Sequence, residues 1–283
     1  MESNLNLTNF YKDKVVAITG GAGIICSELC EAYCKSGAFV CILDLNEQRI
    51  KSLESELKAK GFKAKGYVCN VLDEENIKKV HTQINQEIGK IDILVNGAGG
   101  NNPKATTDTE FCSLNDLDNS YKSFFDLDKS GVEFVFNLNF LGTFLVTKEF
   151  SKDMVRKGGS ILNISSMNAF TPLTKIPAYS AAKASVSNFT QWLSVYFSKL
   201  NIRVNAIAPG FFVTAQNKSL LFNPDGTPSE RASKIIKNTP MGRFGEVQEL
   251  VGASLFLTND DLAKFITGVI LPIDGGFNSY SGV

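Results

Sequence analysis

Tyr179-Ser180-Ala181-Ala182-Lys183 sets a phenol and an ammonium one helical turn apart on one face. That spacing suits acid-base chemistry. An isolated phenol titrates near ~10, and a nearby positive charge favours its phenolate. Lowering it by roughly three units takes roughly 4 kcal/mol of differential stabilisation, which a close Lys and a bound pyridinium can supply together in a dry site. Of the seven tyrosines only Tyr179 has a Lys four residues on. A half-buried Tyr beside a surface Lys has the same spacing on any amphipathic helix, so the rest of the chain must decide.

The elements that would position this pair alternate between strand and helix. KVVAIT (14–19) is a short apolar run followed by Gly20, Gly21, Ala22 and Gly23 and then a helical pattern. Glycines there let the backbone approach a pyrophosphate, and Ile24 opens a helix whose N-terminal N–H groups face an anion. The next strand, AFVCIL, ends in Asp44, where a carboxylate would accept from an adenosine ribose and repel a 2′-phosphate. This points to NAD(H). Asp44 can also cap the helix that follows. KAKGYVCN (63–70) predicts a third strand, with Asn70 and Val71 against an adenine, and IDILVN a fourth running into Asn96-Gly97-Ala98-Gly99-Gly100. SILNISS (160–166) ends in Ser166, IRVNAI (202–207) leads into Pro209-Gly210, and GVILPIDGG supplies a last strand. The alternation predicts an α/β fold, a parallel sheet wrapped on both faces, with ligands at the carboxyl ends of its strands.

Two stretches break the pattern. Residues 100–125 are rich in Asn, Asp, Ser and Thr with few periodic apolar positions, and read as a long functional loop around the substrate, a disordered surface insertion being the alternative. Residues 211–245 read as a second lid with a short helix. Asn101, Asn102, Asn168, Lys175 and Arg243 are the candidate hydrogen-bonding and cationic substrate contacts. Each is equally compatible with a solvated surface.

Length and composition set limits. A chain of 283 residues with 43% hydrophobic content fits one α/β domain over 1–283. Lys plus Arg equals Asp plus Glu at 29 each, so no net field recruits nucleic acid or an anionic membrane. The first ten residues lack a basic start and an apolar core, and no uninterrupted apolar run reaches the ~20 residues of a membrane span, so a soluble, cytoplasmic protein is expected. The six cysteines form no CxxC pair and read as packing residues in a reducing compartment rather than a metal site. The single histidine, His81, sits in the polar stretch VHTQIN and reads as a surface residue.

Together the TGG turn at 19–21, Asp44, Asn96-Gly97-Ala98-Gly99, Asn139 in NFLG, Ser166 in NISS, YSAAK and Pro209-Gly210 with Thr214 resemble the short-chain dehydrogenase/reductase family over nearly the whole chain. The resemblance implies a Rossmann-type doubly wound parallel sheet of seven strands, commonly assembled as a homotetramer. It implies a tetrad: Tyr179 exchanges the proton on the substrate oxygen, Ser166 hydrogen-bonds that oxygen, Lys183 holds the ribose and lowers the phenol, and Asn139 positions a water. It also implies cofactor contacts from Tyr179, Lys183, Pro209, Gly210, Phe212 and Thr214. Two departures stand out. The glycine turn is one residue tighter, with Ile25 where a later glycine is usual, and the stretch before Asn139 is long. With TGGAGIIC, NGAGGNNP and DGGFNSYSGV, the chain is similar to the subgroup of D-mannonate oxidoreductases, or fructuronate reductases. A small sugar-acid substrate and NADH are implied. A gluconate 5-dehydrogenase, a 3-oxoacyl carrier reductase and a catalytically silent NAD(H)-binding regulator are the alternatives, the last disfavoured because binding alone needs neither Tyr179 nor Lys183.

Overall fold

The computed structural model describes residues 9–114, 116–117, 121–214 and 221–282. Seven strands form its centre: β1 (Val15–Thr19), β2 (Phe39–Asp44), β3 (Ala64–Val68), β4 (Ile93–Asn96), β5 (Gly159–Ile164), β6 (Ile202–Pro209) and β7 (Ile270–Ile273). They pair in the order β3-β2-β1-β4-β5-β6-β7, every neighbour parallel. This is a Rossmann-type α/β sheet. Val16 and Ile18 face one layer of helices and Val15 and Ala17 the other, which is why β1 reads as an unbroken apolar run. The strand order reverses between β1 and β4, and that reversal opens a crevice at their carboxyl ends.

One layer holds α1 (Ile24–Lys35), α2 (Glu47–Ala59) and the later α8 (Glu249–Thr258). The other holds α3 (Glu74–Glu87), α5 (Gly142–Phe150) and the core face of α6 (Pro177–Tyr196). Local sequence accounts for their starts. Asp73 caps α3 by accepting from the N–H groups of Glu75 and Asn76, and Pro177 opens α6 where no intrahelical N–H is needed. α4 (Lys129–Phe136) continues through a π-helical turn at Asn137–Leu141 into α5. The stretch 129–153, although interrupted by charged residues, is long and apolar enough to cross a membrane by length and composition alone. Here Val135, Val146 and Phe150 lie fully buried in the core.

Two expectations change. His81 is not a surface residue: it is buried between α3 and α5, with Nδ1 3.0 Å from Glu149 Oε1 and Nε2 2.9 Å from Asp153 Oδ2. Burial alone would push both carboxyls up. Bonds from Lys152 and His81 to Glu149, and from His81 and the Ile91 N–H to Asp153, outweigh it and hold both below the usual range. The insertion at 100–125, of which 115 and 118–120 lie outside the described residues, is not only polar. Phe111, Leu114, Leu117, Phe124 and Phe125 are exposed on it. Its first turn, Pro103–Ala105, is pinned by Ala105 against Val135, Ala178 and Ala182. The lid at 211–245, with 215–220 outside the described residues, contains α7 (Glu230–Lys237) and a bridge from Phe212 to Gly245.

Candidate active site

The rim is built first from the ends of β1 and β4. Gly20 has φ +61°, and a Cβ there would stand 3.0 Å from the Ala98 backbone, so only glycine fits the turn. Thr19 Oγ1 accepts from the N–H groups of Gly97 (3.1 Å) and Ala98 (3.2 Å), locking the two strand ends together. After Gly21 and Gly23, α1 begins at Ile24 with no side-chain cap, leaving its first N–H groups to a ligand or water. Asp44 Oδ2 accepts from the Ala22 N–H (3.2 Å) and Oδ1 from the Asn46 N–H (3.0 Å). The cap of α2 is Asn46, which accepts from the Arg49 N–H, so Asp44 is not the cap but braces the glycine turn. Asn70 Oδ1 accepts from the Leu72 N–H, and Val71 is buried against Gly142. The Asn96 side chain points away from the rim, donating to Thr147 Oγ1 (2.9 Å) and Asn163 Oδ1 (2.8 Å) in the core.

A cleft of about 310 Å³ opens beyond this rim. Gly99, Ser166, Tyr179 and Lys183 line one side, Pro209, Gly210, Phe212 and Thr214 another, and Leu221, Arg231 and Ile235 the lid. Gly20, Gly21, Gly23, Ile24, Asp44, Asn70, Val71 and Ala98 do not line that cavity.

Lys183 is buried and its ammonium donates to the Ile164 carbonyl (2.8 Å), 5.7 Å from the centre of the Tyr179 ring. Burial pushes Lys183 down to about 8. Burial also raises Tyr179, offset in part by its hydrogen bond with Ser166. The phenol is thus held up by burial, and the lowering expected of Lys183 is expected of it together with a bound pyridinium. Asn139, in the π-helical turn, is fully buried. Its Nδ2 donates to the carbonyls of Gly100 (2.7 Å) and Val135 (2.8 Å), and its Oδ1 accepts from the Gly100 N–H (3.2 Å). The side chain thus clamps the strand-to-loop junction. A Cβ on Gly99 would stand 2.7 Å from Asn139 Oδ1 and 3.1 Å from Lys183 Nζ, so that residue lets the pair approach the cleft floor.

The substrate candidates fare unevenly. Asn101 donates to Thr106 Oγ1 and Asn102 accepts from the Lys104 N–H, both within the insertion. Asn168 is buried, with its Oδ1 unpartnered among the described residues. Lys175 sits in a left-handed conformation (φ +71°), its carbonyl accepting from the Thr107 N–H. Arg243 forms a fork with Glu249, at 2.8 and 2.6 Å, and lies outside the cleft. Arg231, which does line it, was not among the sequence candidates.

Residues 14–223 match the short chain dehydrogenase family. The chain belongs to that family. As such it is an oxidoreductase that works with a nicotinamide dinucleotide. The dehydrogenase is 58% identical to an uncharacterized oxidoreductase of Haemophilus influenzae over 99% of this chain and 97% of that one. It is 44% identical to the uncharacterized oxidoreductase UxuB of Bacillus subtilis, covering 95% of this chain and 96% of the relative. It is similar, with a TM-score of 0.93 and 58% identity over 96% of this chain and 97% of the other, to the crystal structure of a candidate D-mannonate oxidoreductase from Haemophilus with bound NAD. The glycine cradle, the uncapped start of α1 and the acidic end of β2 in this dehydrogenase fit such a dinucleotide.

Proposed function

We propose that this dehydrogenase interconverts a keto sugar acid and its hydroxy acid, D-fructuronate and D-mannonate, with NAD(H). The observation that carries the reading is the likeness to the NAD-bound candidate D-mannonate oxidoreductase along almost the full chain. The cleft supports it: Lys183 and Arg231 line it, and no Asp or Glu does among the described residues, which suits an anionic substrate. The nicotinamide supplies or accepts the hydride when bound. Tyr179 Oη delivers the proton to the reduced oxygen, and Ser166 Oγ donates to that oxygen and fixes its place. Lys183, held by the Ile164 carbonyl, keeps a positive charge beside the phenol, and Asn139 keeps Gly100 and the cleft floor in position. Asp44 takes the adenosine ribose.

Mixing NADH or NADPH with a panel of keto sugar acids and following nicotinamide absorbance tests both halves. Turnover of fructuronate with NADH well above NADPH is expected, with the cofactor preference shrinking in Asp44→Ala. Equal use of both cofactors by the wild type would remove Asp44 from cofactor choice, and no turnover of any keto acid would remove the substrate class.

The same reading includes self-assembly. On α6, Trp192 stacks on Phe189 (6.4 Å) and on Tyr196 (4.8 Å), and Trp192, Val195 and Tyr196 are more than half exposed. An apolar face of this kind suits burial against a second copy, as in a homotetramer. Trp192→Glu should lower the sedimenting mass, and an unchanged mass would assign the assembly to another face. The five buried, unpaired thiols fit a reducing compartment such as the cytoplasm.

A further inference from the structure

We infer that Arg231, in the first turn of α7, receives the carboxylate of the substrate. This deepens the keto-acid reading above and rests on it. Four observations converge on that guanidinium. It lines the same cleft as Ser166 and Tyr179 but is carried by α7 of the lid rather than by the elements that hold the proton-transfer groups. Arg231 and Ile235 are four residues apart and therefore share one face of α7, and both line the cleft. Lys234, also on α7, is already bonded to Glu110 of the insertion at 2.5 Å, so that cation is spoken for.

Among the described residues nothing pairs with Arg231, whereas the guanidinium of Arg243 is occupied by Glu249 and the ammonium of Lys183 by the Ile164 carbonyl. A cation in the first turn of a helix also sits against the positive end of the helix dipole, where it weakens the helix. The placement therefore has a local cost and no stabilising partner within the described protein. An incoming carboxylate would supply that partner. Arg231 is itself exposed, but the walls beside it, Phe212, Leu221 and Ile235, are apolar, so a carboxylate seated against them would shed part of its water and strengthen the pair. A guanidinium also matches a carboxylate through two parallel N–H bonds, which orients the substrate as well as holding it. With the carboxylate fixed at the lid and the carbonyl at Tyr179, a keto acid is gripped at two separated points. A neutral ketose is gripped at one.

The test compares kcat/KM for a keto sugar acid with that for the ketose carrying CH₂OH in place of its carboxylate. Wild type, Arg231→Gln and Arg231→Lys are measured, with NADH affinity and melting temperature recorded for each. The wild type should favour the acid, and Arg231→Gln should cut that ratio by at least about tenfold, chiefly through KM, the scale of a lost hydrogen bond to a charged group. Arg231→Lys should recover part of the ratio while NADH affinity stays at the wild-type value. A wild type that favours the acid together with an Arg231→Gln variant that keeps the ratio overturns the role of Arg231 and leaves the keto-acid reading standing. A loss shared equally by acid and ketose also overturns it, since that is what a displaced helix would produce. A wild type with no preference for the acid removes the keto-acid reading itself.

Discussion

Tyr179→Phe should lower kcat for carbonyl reduction by about 10²- to 10⁴-fold while leaving NADH affinity near wild type. The substitution removes one oxygen and keeps the ring that packs beside Val135 and Ala178. Single-turnover kinetics and an NADH titration on the same preparation separate the two effects, and a variant retaining most of the rate would take Tyr179 out of the chemistry. The pH profile carries the same argument. Burial holds the Tyr179 phenol above its ordinary value, so it stays protonated and ready to donate across neutral pH. Lys183 behaves oppositely, its ammonium being lost as pH rises through about 8. The free enzyme's kcat/KM for reduction should therefore be level below that value and fall above it. For stability the sign is reversed. The unfolded chain keeps the Lys183 proton up to its ordinary value, so the folded state binds fewer protons in that window and this group's cost diminishes as pH rises.

His81→Ala should destabilise the fold by about 3–5 kcal/mol, because it leaves the buried Asp153, and the half-buried Glu149 beside it, without the group that joins them. For a chain of this size that corresponds to a fall in Tm of roughly 5–8 °C. Thermal and urea melts read it directly. A change below about 1 kcal/mol, the worth of an exposed ion pair, would mean the cluster is only surface electrostatics. Turnover per folded molecule should be little changed, since the cluster lies on the α3 and α5 layer and not along the cleft.

What could be read from the sequence followed from how local each signal is. The glycine turn, Asp44 and the Tyr179–Lys183 pair are set by neighbours within a few residues, and strand–helix alternation fixes which ends of the strands they share. His81 could not be read that way. Its partners are 68 and 72 positions distant, and its own flanks are polar because α3 turns only one stripe inward. The helix α8 was missed for a related reason: it is apolar nearly all round, so it shows no periodic stripe to distinguish it from a buried strand. Arg243 misled because its neutralising Glu249 lies six residues on, across a turn that no periodicity marks. Arg231 was missed because a lone arginine after Ser229-Glu230 reads as solvent-facing until the lid is folded over the cleft. The apolar side chains of the insertion were hidden among Asn, Asp and Ser, and only their exposure sets them apart. Asn96 and Asn163 illustrate a finer limit. Their types suit ligand contacts, yet they cross-link β4 and β5 to Thr147 and Thr190 inside the core.

The distribution of thiols bears on how this protein can be watched at work. Cys26, Cys34, Cys41 and Cys69 are buried and pushed up to about 12 by that burial, and burial likewise raises Cys30 well above its ordinary value. Cys112 alone is exposed among the described cysteines, and it stands two residues from Glu110, the partner of Lys234 on the lid. A maleimide dye added to the native protein therefore has one address among the described cysteines, on the insertion beside α7. The unaltered chain carries its own attachment point for a fluorescent reporter of lid movement.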